Sequence, residues 1–409
     1  MSEERKIKMP EELKSGIGLA PKESLLEVAR KQGHLFIGVP KERHFQENRV
    51  SLTPGAVSIL SGHDHRIIVE SKAGEGSHIS DTDYSEAGAE IAYNTKEVFQ
   101  AGIVLKVAPL SKEEIQMLHP GQIIISAIHL PTVTQEYLEL LLQKRVIALA
   151  YEYIQDESDS FPIVSSMSEI AGSTSILIAA ELLSNLNHGK GILLGGIAGV
   201  PPANVVILGA GTVGENAART AIALGAEVKI FDNSIYKLKR LQRNIGARVF
   251  TSIIRQDVLG KALARADVAV GAVHSKSGRA PIIVTEDMVS KMRPGSVIID
   301  VSIDQGGCFE TSEVTTHTNP IFKKFDIIHY CVPNIPSRVP RTASQAISNV
   351  FTTMLREASD LGGFEKLMSV HPHIRNGVYV YKGTLTNRHL SEKFNMKSTD
   401  LNLLFTSGM

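Results

Sequence analysis

Residues 205–232 limit what this chain can fold into more than any other stretch. They read VVILGAGTVGENAARTAIALGAEVKIFD. An apolar run of strand length leads into Gly209-Ala210-Gly211-Thr212-Val213-Gly214, and residues with helical periodicity follow directly. Glycines at these positions suit a tight turn, a close approach of backbone to pyrophosphate, and close contact between helix and strand. Amides at the start of that helix, with the positive end of its dipole, favour an anion. A second strand-like run ends in Asp232, where a carboxylate can accept both hydroxyls of a ribose. The order strand, turn, helix, strand, acid predicts a dinucleotide-binding unit. A plain glycine turn with a surface Asp232 is the alternative. Asp232 favours NAD over NADP, because a carboxylate repels a 2′-phosphate. Lys237, Lys239 and Arg240 temper that preference, or else form the solvated face of an amphipathic helix.

Short apolar runs alternate with amphipathic ones on both sides of this unit. LFIGVP, HRIIVES, GIVLKVAP, QIIISAIHLP and VIALAYEYI read as strands, with TPGAVSILSG, TKEVFQAG, SKEEIQMLHPG and TVTQEYLELLLQK as helices between them. A second set follows as ANVVILGAG, AEVKIFDN, ADVAVGAV, GSVIIDVS and IIHYCVP. The expected fold is α/β: two Rossmann-like, doubly wound parallel-sheet domains with a cleft between them. A helix from Ser168 to about Asn187 bridges them. The helix and polar tail after Pro340 are too little for a third domain and are expected to pack back on the first, making it discontinuous. The expected division is an N-terminal extension at 1–34, a substrate domain at 35–165 and 341–409, and a dinucleotide domain at 166–340. The extension carries one short surface helix, SLLEVARKQ, at 24–32.

Composition narrows the function. Lys plus Arg and Asp plus Glu each total 43 of 409 residues, so no basic surplus exists to neutralise nucleic-acid phosphates. Two cysteines cannot form a disulfide framework or a four-thiolate metal site. Histidines cluster as HDH at 63–65 and HPH at 371–373, both read as solvated loops, and no metal site is expected. The first residues lack the apolar run of a secretory signal. Residues 191–214 carry no charge, but seven glycines and Pro201-Pro202 interrupt them. They read as turns feeding a buried strand rather than as a membrane segment. A cytoplasmic protein is expected.

Four motifs go further: GVPKERHFQENRVSLTPGAV, SMSEIAG, the glycine turn, and VIIDVSIDQGGCFE with HYCVPNIPSRVPRTAS. On these the chain resembles the alanine dehydrogenase and transhydrogenase α-subunit family, nearer its alanine dehydrogenase branch, from about Leu35 to the early 350s. The resemblance implies a homo-oligomer, usually a hexamer. It also implies reversible, NAD-dependent oxidative deamination of a small-molecule substrate, L-alanine, to pyruvate and ammonia. Arg49 matches the arginine that holds the substrate carboxylate, a task suited to a charged, forked guanidinium. His129 matches the catalytic histidine, and Asp304 the acid beside the nicotinamide that helps activate water. Cofactor contacts carried over are Ser168, Gly209, Gly211, Thr212, Val213, Gly214, Asp232, Lys237, Val273, His274 and Asn334. Ser168 is expected to begin the bridging helix as both cap and phosphate donor, and Asn334 to present its amide near the nicotinamide carboxamide. Read without the resemblance, Arg49 is a surface arginine, His129 a structural histidine and Asp304 a helix cap.

One position departs from the family. Its substrate-binding lysine falls on Ala108 in LKVAPL. Lys106 lies two residues earlier on the same strand face, about 7 Å away by strand rise, and is the expected substitute. The departure leaves other readings open: a transhydrogenase-like or opine-type dehydrogenase, or a catalytically silent NAD-binding protein.

Overall fold

The computed structural model describes residues 33–130, 132–275 and 278–407. The extension, with its expected helix at 24–32, lies outside these apart from its last two residues.

Fifteen strands form two sheets among the described residues. The first sheet contains β1 (Phe36–Val39), β2 (Arg66–Glu70), β3 (Glu90–Ala92), β4 (Ile103–Leu105), β5 (Ile123–Ser126), β6 (Ile147–Ala150), β14 (Val378–Tyr381) and β15 (Thr384–Leu385). The second contains β7 (Asn204–Leu208), β8 (Glu227–Phe231), β9 (Phe250–Ser252), β10 (Val268–Gly271), β11 (Val297–Asp300), β12 (Ile321–Lys324) and β13 (Ile327–Tyr330). The central strands are buried on both faces, which is why β5 (IIIS), β10 (VAVG) and β11 (VIID) read as apolar runs rather than alternations. Helices cover each sheet on two sides, giving two buried clusters on the second sheet and three on the first.

The first sheet is ordered β15-β14-β6-β5-β4-β1-β2-β3 and the second β12-β13-β11-β10-β7-β8-β9. Both therefore contain the doubly wound order, reversing at β1/β4 and at β7/β10. Ligands of such sheets bind beyond the strand ends at the reversal. The two sheets thus share one winding without sharing a sequence repeat.

Each sheet is parallel except at one edge. β14 runs antiparallel to β6 and to β15, and β12 antiparallel to β13. Both added hairpins turn on two residues of positive φ, Lys382-Gly383 and Phe325-Asp326. The tail thus contributes strands to the first sheet, where a helical and polar tail was expected.

The bridging helix spans Pro162–Leu182, beginning six residues before Ser168. Proline at its first position needs no N–H partner and presets φ, so the helix starts there and Ser168 lies inside it rather than capping it. It ends at Leu182, short of Asn187, and residues 185–187 form a separate single turn. Its length and composition would suffice to cross a membrane, but Ala171, Ile176 and Ala179 are buried in the second domain's core. At Gly172 a Cβ would stand 3.0 Å from the Asn216 Cβ and 3.1 Å from the Ala217 nitrogen. The missing side chain lets this helix cross closely over the helix Thr212–Ala223. The return helix Pro340–Asp360 buries Ile347, Phe351 and Leu355 in the first core. Residues 191–203 make turns, with one bridge between Ile197 and Val200, and feed β7.

Candidate active site

At the second reversal β7 runs into Gly209, whose φ of 108° suits glycine alone, and where a Cβ would drive into the Ala272 carbonyl after β10. Gly211 caps the helix begun by Thr212 and Val213, and a Cβ on it would meet no atom within 4 Å. Gly214 lies against the Gly209 carbonyl. The result is an open cradle at a helix N-terminus. One strand away, Asp232 accepts the Ala210 N–H at 2.8 Å on Oδ2 and the Ser234 N–H at 2.7 Å on Oδ1. These bonds fix the carboxylate beside the turn and leave lone pairs for hydroxyl donors. The cradle and the fixed acid fit a dinucleotide.

Val273 and His274 follow β10 on the other side of the crevice, with the Val273 N–H donated to Ser302 Oγ at 2.9 Å. Lys237 is exposed on the helix Ile235–Ile245. Arg240, expected on the solvated face, is half-buried and donates to the Ala210 carbonyl at 3.3 Å.

At the first reversal, Arg49 is buried rather than on the surface. Its Nε and Nη2 donate to Glu47 at 2.7 and 2.5 Å, and its Nη1 meets Met167 Sδ of the bridging helix at 3.4 Å. Burial pushes the Glu47 carboxyl up, but the Arg49 charge and hydrogen bonds from Arg49 and Asn334 outweigh it and hold the group below its ordinary range.

Lys106 overturns an expectation. Its ammonium is 1% exposed and held between Glu114 at 2.8 Å and Glu42 at 3.2 Å. Burial alone would depress its pKa, yet the two carboxylates raise it. A cation enclosed this way does not stand in for the family's substrate lysine. Glu42 also accepts the Val107 N–H at 2.6 Å and the Ala108 N–H at 3.4 Å, so the triad shapes the chain just beyond β4.

His129 lies three residues past β5 with a left-handed φ of 54°. Glu152 holds this turn by accepting the N–H groups of Ile128 at 3.0 Å and His129 at 3.1 Å. The His129 Nδ1 is 3.1 Å from Thr132 Oγ, whose hydroxyl donates to the His129 carbonyl at 3.2 Å. Nδ1 is thus tied to the turn, and Nε2 is the ring nitrogen left for chemistry.

Asp304 comes from the other domain, inside the short turn Val301–Gln305 that Asp300 caps. It is therefore not itself the helix cap. It opens to solvent in the cleft while the walls of both domains surround it. Desolvation pushes its carboxyl up, against the Asn334 N–H and the charges of His129 and Arg49. Asn334 bonds both to Asp304 and to Glu47, which brings Asp304 opposite the Arg49–Glu47 pair, and the His129 charge acts on the same carboxyl.

Asn334, also left-handed at φ 57°, donates its backbone N–H to Asp304 at 3.1 Å and its side-chain amide to Glu47 at 3.0 Å. The amide expected to face nicotinamide is thus committed to the opposite domain. More bonds join the same segments: Gln46 to Thr318 at 3.0 Å, the His317 N–H to Gln46 at 2.8 Å, and the Asn48 N–H to Ser337 at 2.9 Å. Ser168 is half-buried, next to the Met167 that touches Arg49.

Sequence reading missed Glu47, Glu42, Glu152 and Asp300. Glu47 had a signal, since it stands two residues before Arg49 in QENRV. For the others, nothing in sequence separates a buried acid from a solvated one. HDH also hid a buried residue: His65 is 5% exposed, with Nδ1 3.4 Å from the Leu35 nitrogen. Both cysteines are free and buried, and no metal-ligand group occurs among the described residues.

A glycine cradle on one doubly wound sheet, facing an arginine, a histidine and several carboxylates on another, defines a two-domain dinucleotide-binding enzyme. Family models described as the N-terminal and C-terminal domains of alanine dehydrogenase/PNT match residues 38–171 and 175–388. The chain belongs to the alanine dehydrogenase/PNT family. It is 39% identical over 368 residues to an alanine dehydrogenase of Staphylococcus saprophyticus, covering 90% of this chain and 99% of that one. It is 40% identical over 362 residues to alanine dehydrogenase 2 of Staphylococcus aureus, covering 88% and 97%. A solved L-alanine dehydrogenase superposes with a TM-score of 0.83 at 37% identity, covering 88% of this chain and 99% of that one.

Proposed function

We propose that the protein catalyses reversible, NAD-dependent oxidative deamination of L-alanine to pyruvate and ammonia. The observation that supports this reading is the hydrogen-bond chain Arg49–Glu47–Asn334–Asp304 across the cleft, beside a glycine cradle on the second sheet. NAD, when bound, supplies the hydride acceptor. The Gly209–Gly214 turn holds its pyrophosphate with helix amides, and Asp232 takes the ribose hydroxyls. Thr212, Val213, Ser168, Lys237, Val273 and His274 are the remaining contacts we assign, while Asn334 holds Glu47 and Asp304 across the cleft.

Arg49 anchors the substrate carboxylate. Its Nε and Nη2 already grip Glu47, so Nη1 is the nitrogen that turns to substrate in place of the weak sulfur contact. His129 takes a proton at Nε2 as alanine is oxidised, and returns it when the keto acid is aminated. Asp304 accepts a proton from the water that attacks the imine, a role its raised carboxyl pKa suits. Ala108 leaves the carboxylate with a single anchoring cation.

The same reading divides the chain into a substrate domain of 35–165 with 341–409 and a dinucleotide domain of 166–340. It also makes the protein a cytoplasmic homo-oligomer of the hexameric type. The apolar side chains Leu193, Ile197 and Val200, 68%, 67% and 55% exposed, support burial between copies. Light scattering on the purified protein tests that: a mass of one chain contradicts it.

The reaction is tested with NADH, pyruvate and ammonium. Oxidation of NADH that requires ammonium supports the reading. Oxidation that proceeds equally well when an amino acid replaces ammonium points to an opine-type dehydrogenase. NADH binding without turnover points to a silent protein.

A further inference from the structure

Asp300 closes β11 and stays inside the protein, 1% exposed, with no ion pair among the described residues. Hydrogen bonds alone satisfy its carboxylate, and every donor comes from the loop that follows. Oδ1 accepts the Ser302 N–H at 3.0 Å. Oδ2 accepts the Cys308 N–H at 2.9 Å, the Phe309 N–H at 3.3 Å and the Ser312 hydroxyl at 2.7 Å. The Cys308 Sγ stands 3.7 Å from Oδ1. Two glycines make room: a Cβ on Gly271 would come within 2.6 Å of Oδ1, and one on Gly307 within 2.8 Å of Oδ2.

The loop gathered this way carries Asp304. It also grips the turn after β10. Ser302 Oγ accepts the Val273 N–H at 2.9 Å, and Gln305 trades two hydrogen bonds with the Ser275 backbone, at 2.9 and 3.0 Å. One buried anion thus sits behind both the acid of the cleft and the turn facing the glycine cradle.

We propose that Asp300 is a positioning residue: its carboxylate fixes the 302–312 loop, setting Asp304 in the cleft and, through Ser302, the Val273 turn against the cofactor. The role in turnover rests on the reaction proposed above; the anchoring of the two segments does not. Donors converge on both oxygens, so an acceptor-only carboxylate is required. An amide at this position would point hydrogens at hydrogens.

The experiment combines hydrogen exchange on the cofactor-free protein with kinetics for Asp300→Asn, Ser312→Ala and Ser302→Ala. In Asp300→Asn, exchange should rise in segments 302–312 and 272–275. The turnover number should fall about 10- to 100-fold, the scale of a lost charge-assisted hydrogen bond, with a moved pH profile. Ser312→Ala, which removes one rim hydroxyl, should reproduce the loop effect in smaller degree and decides the matter if Asp300→Asn does not fold. Ser302→Ala should speed exchange in 272–275 alone and raise the NADH dissociation constant. Folded Asp300→Asn and Ser312→Ala proteins with wild-type exchange in both segments overturn the proposal. So does faster exchange with an unchanged turnover number and pH profile. A wild-type protein silent toward alanine removes the proposed reaction, while the exchange and NADH-binding arms still decide the anchoring.

Discussion

Asn334 donates its side-chain amide to Glu47 across the cleft at 3.0 Å. Its own backbone N–H goes to Asp304 at 3.1 Å, so one left-handed residue links the arginine clamp of the first domain to the acid of the second. Glu47 in turn holds Arg49, and the chain Arg49–Glu47–Asn334–Asp304 spans both walls of the site.

Glu47 should therefore contribute stability that depends on pH in a defined direction. Its folded pKa is depressed, so its contribution is present above the ordinary carboxylate value of about 4.3 and is lost as pH falls through the lower folded value. Urea unfolding of wild type and Glu47→Gln is expected to show a gap at pH 7 that closes only in that acid window.

Replacing Arg49 should hurt both stability and turnover. Arg49→Ala leaves Glu47 buried without its cation, a change that costs about 3–5 kcal/mol in other proteins. Arg49→Lys keeps the charge but loses the fork. It should lower kcat/KM for pyruvate about 10- to 100-fold, mainly through KM, as steady-state kinetics would show.

His129 combines a chemical role with an unusual backbone. Asparagine tolerates left-handed φ, whereas alanine pays roughly 1–2 kcal/mol there. His129→Asn should keep the melting temperature near wild type yet lose about 100- to 10,000-fold in the turnover number, the range of general acid–base catalysis. A variant within threefold of wild type would remove His129 from the chemistry.

Lys106→Met should act first on stability, because it strands Glu42 and Glu114 inside the protein; a loss of about 3–5 kcal/mol is expected in urea unfolding. Neutralising all three together, with Glu42→Gln and Glu114→Gln, should recover much of it. Wild-type stability combined with a specific rise in KM for pyruvate would instead restore Lys106 as a substrate ligand.

Sequence made the winding of both sheets legible because buried strands are continuous apolar runs, and β1, β2, β4–β7, β10, β11 and β13 all contain one. The edge strands were hidden for a physical reason. β3, β9 and β15 are two or three residues long, and the hairpins at Phe325-Asp326 and Lys382-Gly383 lack the asparagine–glycine pair that announces such turns. In the site, residue types and spacing made the glycine turn and Asp232 legible, whereas Arg49, His129 and Asp304 stood out only through the family resemblance. Partners three-dimensional in origin stayed invisible: Asn334 meets Glu47 287 positions away. Lys106 was misplaced because shared strand face says nothing of which carboxylates approach from neighbouring segments. Ser168 was misread as a cap because Pro162 begins the helix earlier.

The most direct test of the central claim is a product balance in the forward direction, with the purified protein, L-alanine and NAD at alkaline pH. NADH, pyruvate and ammonium are expected in equal amounts, with none formed by His129→Asn above the residual rate expected for that variant. NAD bound in a calorimeter, with no NADH formed from L-alanine, would contradict it.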